Sequence, residues 1–566
     1  MHFGHSASPH FESRLAVAVE LLLDGDDDLE YSARQSGVID DGVPIPTTYL
    51  EAISHPVFGS KWKEAIHAEV VALIKFGTWR LYNRADLKGA RAATTKWVFD
   101  VKRGADGRID RFKARLVVRG FTQTEGIDFH DTFAPVFRLE SLRILLALAA
   151  QYGMRIHILD ASNAFVGSDL DVPNYIEIPE GVEDFESADD SEHVLELLKS
   201  LYGLRQSANL WHNKIKGKLL AMGFKPSSAD SSVFTNEKGM IIALYVDDIL
   251  VMGRSDGGIE GIKAELKDFH PMKDYGLAQK VLGIRIQQGH EYIRIDQSAY
   301  IREILSEFGM AESRPRKVPL SPSVKLEGET PSLPRDEHQL FRRIIGRISF
   351  LALGTRVDIS FPVNRLAQHL AKPQKVHLHA AKHLLRYLRA TLEFGLMYRR
   401  VGNDKHKLVG YADSAYANAT GQRSTGGYVF FLNEKSSPVC WSSRKQPVVS
   451  YSTVESEYMA LAEATRQGIW IRHFLYAVQK GEKQPSLLVY EDNQGSIRLA
   501  TNPTNHARTK HIMVRYHAIR DAVANGDVQI EYKPTGDMVA DGLTKALTPD
   551  LVQRFINGLN LHVGKD

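Results

Sequence analysis

Apolar and polar positions along the chain alternate between a helical and a strand period. Trp62, Ala65, Ile66, Val70, Leu73 and Ile74 recur at helical spacing, and Leu139 to Tyr152 repeats the pattern. Residues 94 to 102 and 111 to 119 alternate as two strands, with a Gly and Asp turn at Gly104 to Gly107 between them. Arg111, Lys113 and Arg115 share one parity in the second run and so share one strand face. Arg155 to Leu159 reads as a strand ending at Asp160. Leu201 to Trp211 opens a helix running towards Gly223. From Met240 to Gly253 two apolar runs rich in Val and Ile flank Asp247 and Asp248, which predicts a hairpin with acids at its tip.

Beyond the hairpin, Ile259 to Phe269 is amphipathic, and residues 281 to 286 with 292 to 295 suggest a second small hairpin. Residues 311 to 337 are rich in Pro and Ser and read as an extended connection. Residues 338 to 400 are mainly helical, with a strongly basic stretch from His377 to Arg389 that suits a nucleic-acid backbone or a solvated face. The last third changes character. Strands at 408 to 415, 427 to 432 and 439 to 443 precede a long helix from about Val454 to Gln479. A strand from Ser486 to Tyr490, a helix from Gly495 to Ala500 and a strand from Val528 to Lys533 follow, as in a compact α/β unit.

Composition narrows this picture modestly. At 566 residues the chain is too long for one core, and three or four units are expected. Lys and Arg total 71 against 68 Asp and Glu, so a net charge of +3 identifies no partner by itself. The single cysteine, Cys440, excludes an internal disulfide framework and any multi-cysteine zinc site. Nothing approaches the ~20 uninterrupted apolar residues of a membrane span. The run Leu15 to Leu23 is broken by Glu20 and leads into an acidic stretch rather than a cleavage site. Cytoplasmic or nuclear residence is the expectation, with residues 1 to about 45 a tail of unassigned purpose.

The candidate chemistry lies in acids. Two adjacent carboxylates at a turn are costly to bury, so they are either solvated or neutralised by a cation. Alone, Asp247 and Asp248 are an ordinary acidic turn, and Asp160 an ordinary strand end. If folding brings all three together, they surround hard cations, for which Mg²⁺ is the natural occupant. Two such ions about 4 Å apart serve in-line phosphoryl displacement.

Five stretches taken in order sharpen this reading. Lys113-Ala-Arg-Leu-Val, Gln123 to Phe133 with Ala134-Pro135, Asp160 with Ala164-Phe165, Leu201-Tyr-Gly-Leu and Tyr245-Val-Asp-Asp248 together resemble the reverse transcriptase of copia-type LTR retrotransposons. The similarity runs from about Tyr49 to the C-terminus. It implies an α+β and α/β multidomain chain, a right-hand polymerase with fingers, palm and thumb followed by an RNase H-like domain. The implied divisions are a tail over 1–45, fingers and palm over 46–285, thumb and connection over 286–400, and the RNase H-like domain over 401–566. Asp160, Asp247 and Asp248 would be the catalytic metal ligands. Phe165 would stand beside the sugar and obstruct a 2′-hydroxyl. Lys113 and Arg115 fit positions that hold the triphosphate, with the choice between them open. Tyr202 and Gly203 align with a segment lying against template and nucleotide; a helix-starting turn is their structural alternative. Lys273 is a candidate proton donor to pyrophosphate, against the simpler reading of a solvated lysine.

The same resemblance picks out a second acidic set. Asp413, Glu457, Asp492 and Asp541 are similar to the four-carboxylate site of the family's RNase H, on a strand, a helix, a strand end and a C-terminal helix respectively. Periodicity does not choose between Glu455 and Glu457, and the resemblance favours Glu457. Glu491 is expected to point away from its neighbour Asp492. His506, Arg508, Lys510 and His511 form a basic loop suited to the phosphates of a hybrid or to solvent.

The chain departs from the family pattern at Ala415, Tyr416, Val357 and Met513, none of them a predicted ligand. No aspartic protease or integrase motif is recognisable, so the chain reads as the reverse transcriptase and RNase H part of a larger polyprotein, or a truncated reading frame. The implied function is RNA-directed DNA polymerase with RNase H cleavage, using two Mg²⁺ per site with Mn²⁺ as the alternative. The implied partners are an RNA template, a DNA primer, an RNA-DNA hybrid and deoxynucleoside triphosphates, with no membrane, and with integrase or capsid proteins of the same element as candidates. The expected location is a cytoplasmic virus-like particle or the nucleus. The rival readings are a drifted, inactive nucleic-acid-binding remnant and an unrelated two-metal phosphohydrolase.

Overall fold

The computed structural model describes residues 43–87, 89–103, 109–182, 191–328, 331–401, 407–502 and 514–564. The predicted turn at Gly104 to Gly107, the tail over 1–42, the basic loop from His506 to His511 and Met513 lie outside them.

The described chain begins with helices α1 (Tyr49–Ser54) and α2 (Gly59–Lys75) and strand β1 (Trp79–Asn83), followed by the ribbon β2 (Thr95–Arg103) and β3 (Ile109–Val118). The alternation in β3 buries Ala114, Leu116 and Val118 against α2, with Trp62, Ile66 and Leu73. Lys113 and Arg115 therefore face the other way, as parity predicts.

Helix α3 (Leu139–Tyr152) is the hub of the molecule. Residues 141 to 151 of it are all buried, so it is covered on every side, and it ends on Gly153, whose φ of 62° sets the left-handed cap. Strand β4 (Arg155–Ala161) follows at once. Strands β5 (Asp169–Ile176) and β6 (His193–Lys199) pair with β1 in a three-stranded sheet. Helix α4 (Ser207–Ala221) precedes β7 (Lys225–Pro226), β8 (Val233–Thr235), β9 (Ile241–Tyr245) and β10 (Asp248–Gly253). Helix α5 (Asp256–Phe269) and β11 (Met272–Leu277) complete a six-stranded sheet of order β11-β4-β10-β9-β8-β7.

This six-stranded sheet is apolar on both faces, with a different core on each. Ile156, Ile158, Ala243, Leu250 and Met252 pack towards α3. Leu159, Ala161, Ile242, Ile249 and Val251 pack towards α4 and α5, against Trp211, Ile215, Ile259 and Leu266. Strand parity then places Asp160, Asp248 and Tyr245 on the α3 face.

Strands β12 (Lys280–Val281), β13 (Ile284–Gln288), β14 (Tyr292–Asp296) and β15 (Phe394–Arg399) form another sheet, joined at its edge by β21 (Leu561–Val563) from near the C-terminus. Between β14 and β15 lie α6 (Ser298–Glu307), α7 (Arg335–Gly354), α8 (Ser360–Ala367) and α9 (Lys375–Ala390), which share a core of their own. The connection from 311 to 334 has no helix or strand among its described residues, yet Leu320, Leu326 and Leu333 are buried in that core. The extended connection read from the sequence is thus a strap packed on this core, and only its last three residues, 335 to 337, differ, because they open α7. The basic helix α9 explains how: His383 Nε2 contacts Val318 O at 2.9 Å, Arg386 Nε donates to Arg314 O at 2.6 Å and Arg389 donates to Ser313 O. These side chains hold protein, a use that composition alone does not distinguish from binding phosphate.

The C-terminal unit is a five-stranded mixed sheet of order β18-β17-β16-β19-β20, from β16 (Val409–Ala419), β17 (Arg423–Phe431), β18 (Cys440–Lys445), β19 (Leu487–Glu491) and β20 (Val528–Tyr532). The 26-residue helix α10 (Thr453–Val478), with α11 (Gln494–Thr501) and α12 (Val514–Ala524), packs on it. Helix α13 (Pro549–Gly558) leads to β21. Ala415 and the exposed Tyr416 lie on β16, and Val357 is fully buried in a 3-10 turn before α8. One hydrophobic core runs unbroken from α3 through β13 to β15 into this unit. The mixed, multidomain helix-and-sheet architecture expected from the sequence is what the chain forms.

Candidate active sites

The first acidic centre is built by strand register. Asp248 opens β10 directly opposite Asp160 on β4 and closes the hairpin opposite Tyr245 on β9. The turn itself is Val246-Asp247. Its left-handed position is taken by Val246, at φ 56°. A β-branched residue there costs on the order of 1–2 kcal/mol. Two bonds hold it: Trp211 Nε1 donates to Val246 O at 2.8 Å, and Ala161 N donates to Asp247 O at 2.8 Å. Asp247 thus sits at the bend and Asp248 in the strand.

Burial, and then the charge of Asp247, push the Asp160 carboxyl above its ordinary range. Burial followed by Asp247 and Asp160 raises Asp248 to about 6. Lys113 and Lys273 partly offset the effect on Asp160. Lys273 is the register partner of Asp160 on β11 and is exposed, with its ammonium 4.6 Å from the Tyr275 ring. The three acids share one end of the sheet, but their oxygens do not form a mutual cluster within 4.8 Å such as the C-terminal unit contains.

The basic strand β3 overlooks this centre. Burial and the neighbouring Arg115 and Arg111 lower the Lys113 pKa, and its charge reaches Asp160. Arg115 goes elsewhere: its guanidinium lies 5.5 Å from the Tyr202 ring, and that ring meets Phe165 edge-on at 6.0 Å. Tyr202 OH donates to Asn163 Oδ1 at 3.3 Å, and burial pushes its pKa up to about 12. Gly203 has φ 88°, and a Cβ there would lie 2.1 Å from Val118 O. The turn after Tyr202 therefore presses on the end of β3, with Val118 N donating to Tyr202 O at 2.8 Å.

Glu69 on α2 was not singled out in the sequence. It is 8% exposed and close enough to Lys113 and Arg115 for both to lower its pKa, although burial wins and raises it. The signal was present, because Glu69 stands three residues after Ile66 and four before Leu73, on the apolar face of its helix.

The second centre is tighter. Strands β16 and β19 run parallel with Tyr411 beside Tyr490, so Asp413 and Asp492 emerge level with one another. Oxygens of Asp413, Asp492 and Asp541 lie within 4.8 Å of each other, as do those of Glu457, Glu491 and Asp492. The helix α10 assignment is settled by its cap: Ser452 accepts from Glu455 N at 3.2 Å, and Glu455 accepts from Tyr451 N at 2.8 Å. Glu455 is spent on the helix terminus, which leaves Glu457 to face the cluster.

Two expectations need correction. Glu491 does not point away; it is fully buried among the acids. The sheet ends here and the chain bends after β19, so strict strand alternation no longer separates neighbours. Asp541 lies on the 3-10 turn Val539–Leu543 and not on the C-terminal helix. Burial first, and then neighbouring carboxylates, raise Asp413, Glu457 and Glu491. Glu457 Oε2, Glu491 Oε2 and Asp541 Oδ1 are buried with no hydrogen-bond partner. Thr544 donates to Asp413, Thr535 Oγ1 donates to Asp492 Oδ2 at 2.6 Å, and Lys545 pairs with Asp541 at 2.9 Å. One lysine cannot balance five acids, and orphaned buried oxygens of this kind fit a hard cation.

The antiparallel sheet thus sets an acidic hairpin against a strand-end aspartate. Residues 76–322 match the family described as reverse transcriptase (RNA-dependent DNA polymerase). The chain is 34% identical over 554 residues to the retrovirus-related Pol polyprotein from transposon TNT 1-94 of Nicotiana tabacum, covering 96% of this chain and 40% of that one. It is 32% identical over 315 residues to the putative transposon Ty5-1 protein of Saccharomyces cerevisiae, covering 55% of this chain and all of that one. The chain belongs to the copia-type reverse transcriptase family. It spans about two fifths of the length of the tobacco Pol polyprotein. A foamy viral protease-reverse transcriptase solved in complex with an RNA/DNA hybrid is similar over 84% of this chain and 54% of that one, at 14% identity and a TM-score of 0.46.

Proposed function

We propose that the chain is an RNA-directed DNA polymerase and a ribonuclease H, each working by phosphoryl transfer at paired divalent cations. The observation that carries this reading is Asp248 in register with Asp160 on one face of the palm sheet, with Asp247 at the bend between β9 and β10. Asp160, Asp247 and Asp248 would hold one pair of ions. Asp413, Glu457, Asp492 and Asp541 would hold the other, with Glu491 closing the back of the pocket. All donors are oxygens, which favours Mg²⁺, with Mn²⁺ as a substitute. When bound, the ions neutralise charge on the phosphate in flight and acidify the attacking hydroxyl or water.

The remaining groups bind and orient. Lys113 is the better placed of the two finger cations for a triphosphate, because its charge reaches the acidic centre whereas Arg115 stacks over Tyr202. Phe165, braced edge-on by Tyr202, would bear on the sugar and exclude a 2′-hydroxyl. In the second centre Lys545 would hold a positive charge beside Asp541 while the RNA strand is positioned. The substrates are then an RNA template, a DNA primer, deoxynucleoside triphosphates and the resulting hybrid. Among the described residues no helix is long and apolar enough to cross a membrane. A cytoplasmic particle or the nucleus, shared with integrase or capsid proteins of the same element, is the proposed setting.

Primer extension by purified protein on a poly(rA) template with Mg²⁺ tests the reading. Asp247→Ala should abolish extension and leave hybrid cleavage measurable, and Glu457→Gln should do the reverse. Loss of both activities from either folded variant would sink the assignment of two separate sites, and nucleic-acid binding without extension by the unaltered protein would favour an inactive remnant.

A further inference from the structure

The two acidic centres sit on different sheets, and one buried cation ties those sheets together. Arg143 lies in the middle of α3, the helix that leads directly into the Asp160 strand, and is 2% exposed. Its Nε donates to Val439 O at 2.8 Å, immediately before β18 of the C-terminal unit. Its Nη1 donates to Leu353 O at 2.6 Å and Gly354 O at 3.1 Å, the last carbonyls of α7. The guanidinium also lies 3.9 Å from the Trp441 ring, and Trp441 Nε1 donates to Ala352 O at 2.9 Å. Palm, helical unit and C-terminal sheet thus meet at a single side chain.

The chemistry at this junction is specific to arginine. A planar fork can serve three carbonyls and stack on an indole simultaneously, whereas an ammonium is a compact point charge that cannot. The end of α7 supplies the negative pole of a helix dipole, which suits a buried cation. Glu140, 3.8 Å away on the same helix, supplies the counter-charge. Further bonds span the same interface. Gln151 and Val401 exchange two, at 3.1 and 3.0 Å, Gln479 Nε2 donates to Tyr152 OH at 2.8 Å, and Trp470 Nε1 donates to Ala229 O at 3.2 Å. Those contacts and the shared core hold the units together at separate points, and among these contacts the Arg143 fork is the one that joins the palm helix to the end of α7 and to the residue before β18 at once.

We propose that Arg143 is a positioning residue that sets the spacing between the polymerising and the cleaving centre. The inference rests on the dual activity proposed above. With the fork in place, a hybrid held at the primer end presents one particular stretch of RNA to Asp413, Glu457, Asp492 and Asp541. Without it, each unit keeps its own acids but their mutual orientation loosens, and cleavage spreads over neighbouring nucleotides.

The test uses the full chain with Mg²⁺ and a 3′-end-anchored primer on labelled RNA. Arg143→Lys acts from the palm side, and Trp441→Phe acts from the C-terminal side and is the milder change. Primer extension and cleavage of a short free hybrid should each stay within about threefold of the unaltered protein, and the cleavage distance from the primer end should broaden from a narrow band to a ladder. Amide hydrogen exchange should quicken at residues 439 to 445 and at the end of α7 while β9 and β10 stay protected. An unchanged cleavage distance in a folded variant, or exchange that rises uniformly through both sheets, would overturn the proposal. Absence of hybrid cleavage by the unaltered protein would instead remove the dual-activity reading beneath it.

Discussion

Replacing Gly203 by alanine separates its two candidate roles, as a surface for nucleotide or as a backbone position that no side chain fits. A Cβ at Gly203 would sit 2.1 Å from Val118 O and 2.7 Å from Val117 Cγ1, with φ at +88°. The first neighbour is a main-chain atom, so no rotamer change relieves the clash. Accommodation requires the turn and the end of β3 to part by roughly 1 Å, the deficit from an ordinary contact. That movement breaks the 2.8 Å bond from Val118 N to Tyr202 O. The left-handed backbone costs about 1–2 kcal/mol for a residue with a Cβ. Overpacking adds about 1–3 kcal/mol, and the lost hydrogen bond about 1 kcal/mol. A loss on the order of 3–6 kcal/mol is therefore expected, a large share of ordinary domain stability. Urea unfolding followed by tryptophan fluorescence reports on it through Trp62, Trp79 and Trp97 in the fingers core. Gly217 in α4 is the control, since a Cβ there meets nothing within 4 Å and its helical setting should make alanine stabilising by up to about 1 kcal/mol. If Gly203→Ala unfolds within about 1 kcal/mol of the unaltered protein, the close approach is not what demands glycine there.

Two further predictions follow from the sites. Phe165→Ala removes the ring that Tyr202 braces and should raise ribonucleotide incorporation on the order of tenfold or more, the usual worth of one steric contact; unchanged incorporation in single-nucleotide extension would end that role. The pH response of the metal-free protein carries a sign. Glu457 and Glu491 have folded pKa values raised above their unfolded values, so the folded chain binds more protons than the unfolded one. Stability in EDTA should be greatest below about pH 4.5 as far as these groups are concerned, and should fall as pH rises through the neutral range. Glu457→Gln should flatten that fall, and Mg²⁺ should reverse it in the unaltered protein but much less in the variant; thermal melts between pH 5 and 8 with identical slopes for both would contradict the cluster's electrostatics.

Much of this protein was legible as pattern. The apolar stretch over Leu139 to Tyr152, the alternation of β3 and the apolar runs on both sides of Asp247 and Asp248 fix local structure, because a helix or strand buried on one face or on both records that in the spacing of its apolar residues. Ordered acidic motifs further indicated which residues could meet. Convergence itself belongs to tertiary structure. Register alone puts Asp248 opposite Asp160, and a parallel crossover alone sets Asp492 level with Asp413. The bend after β19 turns Glu491 inward, the cap at Ser452 distinguishes Glu455 from Glu457, and the packed strap engages Arg386 and Arg389 of α9. None of these is a property of spacing along the chain. Each depends on which distant backbone supplies the nearest donor, acceptor or charge, and that is decided only when the sheets and helices close on one another.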